Sequence, residues 1–157
     1  MDDSSTAPRE RDRHGVIRVG ALAIRFLVTG DDSGGSVAAF EFTVPAGERL
    51  NGLPHSHEAY EETVYGLAGV LTWTVSGTAH DIGPGRGVCI RRGAVHRFEN
   101  RGAEAARVLC IASPAAIGPA FFHEVAAVLD AAGGGPPDRA AILEVYQRYG
   151  LTAAPHG

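Results

Sequence analysis

The residues best suited to chemistry are three histidines and two glutamates. His55-Ser56-His57 is followed by Glu61-Glu62, and His96 lies 39 positions after His57. Three imidazoles and one carboxylate form a mixed nitrogen and oxygen donor set that can hold a divalent transition metal and leave positions open for substrate. On an extended segment His55 and His57 share a face, because strand side chains alternate. Pro54 favours that geometry by fixing its own φ and restricting Leu53. Glu61 and Glu62 must point to opposite faces of a strand, so at most one of them joins the imidazoles. Glu62 shares its face with Tyr60 and Val64, and Glu61 shares its face with Thr63 and Tyr65. Alternation alone leaves open which face looks inward. Phe98 shares the face of His96, which puts an apolar neighbour beside that imidazole.

The elements around these residues read as short strands. Val16–Val19, Leu22–Val28, Val37–Val44, Thr63–Val75, Val88–Ile90, Val95–Phe98 and Arg107–Ala112 are apolar, β-branched or aromatic runs. Gly30-Asp31-Asp32, Pro45-Ala46-Gly47, Ser76-Gly77, Gly83-Pro84-Gly85 and Asn100-Arg101-Gly102 punctuate them as turns. Many short strands with Gly and Pro turns indicate an antiparallel sandwich or barrel. After Pro114 the period changes. Phe121, Val125, Val128 and Leu129 fall on one helical face that ends at Gly133-Gly134-Gly135. Asp138 is placed to cap a second helix bearing Ile142, Val145, Tyr146 and Tyr149, with Gly150 as its stop. The chain thus divides into a polar leader (1–14) read as disordered, a β-unit (15–114) and a helical extension (115–157) that packs outside the β-unit or across its mouth.

Composition narrows the classes. The chain has 157 residues and a formal charge of −4, which is one domain's worth of sequence with no net basic character to favour nucleic acid. It contains no Lys, so mechanisms that need a lysine amine nucleophile are excluded. Arg91, Arg92, Arg97, Arg101 and Arg107 form a basic run that reads as a solvated, ion-paired face. Cys89 and Cys110 lie in apolar strand runs without a CxxC spacing, and both read as buried small hydrophobes in a reducing compartment. No apolar stretch approaches the ~20 residues of a membrane span, and the first residues carry no signal-peptide pattern. A cytoplasmic protein is the expectation.

At this point the pattern resembles a known family. His55-x-His57-x4-Glu62-x6-Gly69 is similar to the first signature of the cupins, and Gly85-x5-Arg91-x-Gly93-x2-His96-x3-Asn100 is similar to the second, with Arg91 where the family has Pro. The resemblance covers roughly residues 40 to 112 and suits a single-domain cupin. It implies an all-β jelly-roll barrel (double-stranded β-helix) followed by two C-terminal α-helices. It implies His55, His57, Glu62 and His96 as metal ligands, because the spacing to Gly69 counts from Glu62 and not from Glu61. It implies one divalent metal, with Fe, Mn or Ni ahead of Zn, and a homodimer. Family members with this ligand set include dioxygenases, decarboxylases, isomerases and polyketide cyclases. The expected function is a metal-dependent enzyme acting on a small, largely apolar molecule (phenolic, diketone or polyketide-like), with dioxygenation slightly favoured. Glu62 is the expected catalytic residue, and Tyr60, Val64, Phe98 and Trp73 are expected to contact substrate. The alternatives are a non-catalytic small-molecule sensor and an epimerase- or isomerase-type cupin.

Overall fold

The structure, a computed structural model, describes residues 14–49 and 53–155; the leader lies outside these apart from His14. Its strands are β1 (Ile17–Val19), β2 (Leu22–Val28), β3 (Ala38–Val44), β4 (His55–His57), β5 (Glu61–Ala68), β6 (Leu71–Val75), β7 (Thr78–Ile82), β8 (Gly87–Ile90), β9 (His96–Glu99), β10 (Ala106–Ser113) and β11 (Leu151–Ala153). Its helices are α1 (Gly30–Ser33), α2 (Pro119–Ala131) and α3 (Arg139–Arg148). The strands form two antiparallel sheets, ordered β1-β2-β3-β10-β5-β8 and β11-β4-β9-β6-β7.

The core follows from period-two alternation. β3 buries Ala38, Phe40, Phe42 and Val44, while its paired strand β10 buries Ala106, Val108, Cys110 and Ala112. Leu22, Ile24 and Phe26 of β2 extend the same inner face. The outer face carries the charges: Arg25 pairs with Glu41 at 2.9 Å, and Arg107 approaches Glu41 at 3.8 Å. Across the interior, Trp73 and Phe98 of the second sheet are direct cross-strand partners, with ring centroids 5.0 Å apart. Each such buried aromatic removes roughly 150–250 Å² from water, so these rings supply much of the packing.

Both expected helices are present. Asp138 caps α3, its carboxylate accepting from the amides of Ala140 and Ala141. α2 lays Phe121, Phe122, Val125 and Ala126 against the β-unit, and Phe122 meets Phe26, Phe40 and Phe42 at ring-centroid distances of 5.5–5.8 Å. The helical extension therefore closes one end of the barrel.

Four details depart from the sequence reading. The run Thr63–Val75 is two strands, folded back at Gly69, whose φ of 62° suits glycine. Gly30-Asp31-Asp32 forms α1, a single helical turn capped by Thr29. Cys89 is exposed, since it pairs with Thr63 on the outward face of β8, whereas Cys110 is buried. The extension is not purely helical: β11 returns to the second sheet and pairs with β4, setting Leu151 opposite His57. No helix among the described residues is long and apolar enough to cross a membrane.

Close approach between strands gives a stability test. A Cβ added at Gly66 on β5 would lie 2.0 Å from the carbonyl oxygen of Gly83, where neither backbone can yield cheaply. Gly66→Ala should lower unfolding free energy by about 3 kcal/mol or more. Gly118→Ala, with nothing within 4 Å of the new methyl, should change it by less than about 1 kcal/mol. Urea melts of both variants check this; equal midpoints would contradict the packing described.

Candidate metal centre

The short link between His57 and Glu62 carries the chain from one sheet to the other. His55 and His57 stand on β4 and His96 on β9 in the second sheet, where His55 and His96 are direct cross-strand partners. Glu62 stands on β5 in the first sheet, opposite Ala112 of β10 and Ile90 of β8. The two sheets thus present imidazoles and a carboxylate to each other across the interior. The turn before β9 forms without the family's Pro. The Ala94 amide donates to the Arg91 carbonyl at 3.1 Å, and the Gly93 amide ties the turn to the His57 carbonyl at 3.0 Å.

Three of the four expected ligands converge. Donor atoms of His57, Glu62 and His96 all lie within 4.8 Å of one another, and the three residues are 1%, 6% and 3% exposed. Glu62 Oε2 is 3.4 Å from His57 Nε2 and 3.6 Å from His96 Nε2. Two atoms bonded to one cation at about 2.1 Å can be at most ~4.2 Å apart, and both spacings satisfy that bound. His55 adjoins the group without joining it at that distance: its ring centroid is 4.6 Å from that of His96 and 6.4 Å from that of His57.

The backbone fixes which nitrogen each imidazole offers. His55 Nδ1 meets the Leu53 carbonyl at 2.9 Å, His57 Nδ1 the Tyr60 carbonyl at 2.9 Å, and His96 Nδ1 the Ala94 carbonyl at 3.0 Å. A carbonyl only accepts, so each Nδ1 carries the proton and each neutral ring keeps a bare Nε2 lone pair. Metal-ligating histidines are oriented in this way. Buried His57 Nε2 has no hydrogen-bond partner, an expense that a cation would remove. The donor set and its orphaned nitrogen therefore fit a metal.

Electrostatics agree with ligand-ready forms. Burial, with His96 nearby, pushes His55 down to about 3. Burial also lowers His96. Burial raises the Glu62 carboxyl, but His57, His96 and His55 together outweigh it and the net shift is downward, toward carboxylate. Glu61 faces the other way. Its side chain is 45% exposed and meets Arg92 at 3.0 Å, part of the solvated basic run expected from sequence.

Glu62 and His96 of the group, with His55, line a cavity of about 60 Å³, room for a few waters. Tyr60, Trp73 and Phe98, three of the expected substrate contacts, line it. Tyr60 also stacks on His57, with ring centroids 3.8 Å apart. Val64 does not line it, which corrects the expectation. It is fully buried on β5, with Cys110 and Val88 as its partners on the two neighbouring strands. Much of the remaining wall comes from residues the sequence did not assign to a site. Phe40 and Phe42 belong to the buried inner face of β3. Phe121, Phe122 and Tyr146 lie on helices whose place over the barrel no local pattern specifies. The Phe121-Phe122 doublet was the available signal, since a single buried stripe rarely needs two adjacent aromatics.

Comparisons with known proteins agree with this architecture. Residues 40–112 match the family model of the cupin domain. No curated protein matches the chain. Among solved structures, the chain is 25% identical to the polyketide cyclase RemF from Streptomyces resistomycificus, with a TM-score of 0.57 over 66% of this chain and 75% of that one. It is 23% identical to a predicted oxalate decarboxylase from Thermotoga maritima, with a TM-score of 0.56 over 60% of this chain and 82% of that one. It is 22% identical to a sugar phosphate isomerase of the cupin superfamily from Silicibacter pomeroyi, with a TM-score of 0.52 over 60% of each chain. The chain thus spans less than two thirds of that isomerase. The last two likenesses bear on the fold alone.

Two outcomes follow from the site. His57→Ala and Glu62→Gln should strip most metal from the purified protein, whereas Glu61→Gln should retain it, as read by elemental analysis. Equal loss in both glutamine variants would contradict the face assignment. The second outcome concerns pH. His55 and His96 bind a proton more weakly folded than unfolded, so their contribution to stability is present above about 6.5 and is lost as pH falls toward the folded values. Metal-free protein should therefore lose stability between pH 7 and 5, on the order of 1 kcal/mol per pH unit from His55, with His96 acting in the same direction. His55→Asn should make the decline shallower in urea melts, and an unchanged slope would contradict the assignment.

Proposed function

We propose a function from one premise: the chain belongs to the cupin superfamily. The reading that the geometry supports best is a metal-dependent enzyme acting on a small, largely apolar molecule of phenolic, diketone or polyketide-like character. One observation carries it: of the buried His57, Glu62 and His96 group, Glu62 and His96 line a cavity that is otherwise mostly aliphatic and aromatic, with His57 packed directly behind them. A divalent transition metal held by His57, Glu62 and His96, with His55 as fourth ligand, would supply Lewis acidity and open positions for one or two substrate oxygens.

The chain's own residues then have distinct tasks. Trp73, Phe98 and Phe42 flank an apolar ligand body, which selects against sugars and phosphates that would lose their hydration there. Phe121 and Phe122 cover the cavity and exclude water. With room for only a few waters as it stands, entry of a ring-sized molecule requires these two side chains to swing aside. Glu62 is the one carboxylate among the lining residues, so it is the group placed to take a proton from an enolisable C–H or a phenolic O–H. Tyr60 and Tyr146 keep their phenolic protons, because burial raises both, Tyr146 to about 12.

Oxygen-dependent cleavage is the reaction placed first. Non-oxidative cyclisation is the second reading, supported by the 25% identity to the polyketide cyclase RemF. The test is to strip the protein with chelator, reload it anaerobically with Fe(II), Mn(II) or Ni(II), and follow O2 uptake and product over a panel of phenols, diketones and polyketide-like chains. Product formed with O2 consumption supports the first reading, and product formed without it supports the second. In either case Glu62→Gln should lower turnover by about 10²-fold or more. Tight ligand binding with no product at full metal occupancy would contradict an enzyme and leave a binding protein.

A further inference from the structure

The C-terminal segment lies outside the matched cupin domain (residues 40–112), yet it grips the strand that carries two of the histidines. β11 pairs along β4, setting Ala153 opposite His55 and Leu151 opposite His57. The Ala154 amide donates to the Pro54 carbonyl at 2.7 Å. Tyr146 of α3 brackets Leu53, its hydroxyl accepting from the Leu53 amide at 3.1 Å and donating to the Leu53 carbonyl at 3.2 Å. That same carbonyl accepts from His55 Nδ1 at 2.9 Å. The ring of Tyr146 meets that of His55 nearly edge-on, at 5.1 Å and 69°.

We propose that Tyr146 is the positioning residue for His55: by pinning the Leu53 carbonyl it fixes the imidazole as the Nδ1–H tautomer and leaves Nε2 bare as the fourth donor. The inference rests on the metal reading above for the role of that donor. His57 and His96 do not need such a device. Their carbonyl partners, Tyr60 and Ala94, belong to the links that lead into β5 and β9, and the Ala94 turn is itself tied by a backbone bond to Arg91. Leu53 precedes Pro54, which has no amide proton with which to lock the link to β4. The hydroxyl of Tyr146 supplies both a donor and an acceptor to one residue, which fixes the orientation of that peptide pair, and Tyr146 is itself 2% exposed and held by the packing of α3. A carbonyl free to rotate would let the imidazole take either tautomer, and the Nε2–H form cannot bind a metal through that nitrogen.

The test uses the full chain and reads the tautomer before any metal is added. In metal-free wild type, long-range ¹H–¹⁵N spectra should show His55 as Nδ1–H. A nuclear Overhauser contact should join its Hδ1 to the hydroxyl proton of Tyr146, since both protons point at one oxygen. In Tyr146→Phe the tautomers should mix, and affinity for Co(II) added alone should fall by about 10- to 100-fold with an altered ligand-field spectrum. Tyr149→Phe removes the nearby hydroxyl that donates to Glu124 at 2.6 Å and should leave tautomer and Co(II) affinity unchanged. Wild-type His55 in the Nε2–H form would overturn the proposal. So would visible hydroxyl and Hδ1 protons without contact, or a Tyr146→Phe variant with unchanged tautomer and Co(II) affinity within twofold. Failure of wild type to bind Co(II) would overturn the fourth-donor role and the metal reading together. The wild-type tautomer and proton contact would still decide the positioning role by themselves, even if Tyr146→Phe did not fold.

Discussion

His57 Nε2, His96 Nε2 and an oxygen of Glu62 all carry lone pairs, and they face one another in a space nearly closed to water. Such an arrangement is unfavourable by itself at His57 Nε2, which has no hydrogen-bond partner, because a buried acceptor without a donor forfeits its hydration. A cation held among them would offset that cost. The protein accepts this cost and reinforces it, since carbonyls on each imidazole's far side keep the Nδ1 protons away from the shared centre. The surrounding barrel is best understood as the apparatus that holds these acceptors in place.

The two sheets do that work through their pairing. Imidazoles come from one sheet and the carboxylate from the other, so the group exists only while the sheets stay packed across the phenylalanine-rich interior. His55 and His96 are fixed relative to each other by direct strand pairing, whereas Glu62 is fixed by its neighbours on β10 and β8. α2 and α3 add the cover, and β11 completes the hold on the histidine strand. Packing, tautomer and water exclusion are therefore coupled: a fault in the aromatic core or in the C-terminal clasp reaches the donor atoms without touching them.

Much of this was legible in the sequence because it rests on local rules. The apolar runs Val37–Val44 and Arg107–Ala112 marked two strands of the first sheet, and Asp138 marked the start of α3 through its capping side chain. The choice between the glutamates came from the resemblance to the cupin signature, whose spacing to Gly69 counts from Glu62; Glu61 lies on the opposite face, paired with Arg92. Other features depend on contacts distant along the chain. β11 is three residues long and forms only because β4 offers it a free edge. Val64 shares a face with Glu62, yet it is fully buried away from the cavity, which alternation cannot reveal. The aromatic cover from Phe121 and Phe122, and the grip of Tyr146 on Leu53, join residues separated by most of the barrel.

Whether His57, Glu62 and His96 hold a cation is decided by anomalous diffraction from crystals grown with Fe(II), Mn(II) or Ni(II). One strong anomalous peak should lie at bonding distance, about 2.0–2.2 Å, from His57 Nε2, His96 Nε2 and a Glu62 oxygen. Crystals soaked to saturation with no peak at that position, or with their main peak on surface residues such as Glu61, would contradict it.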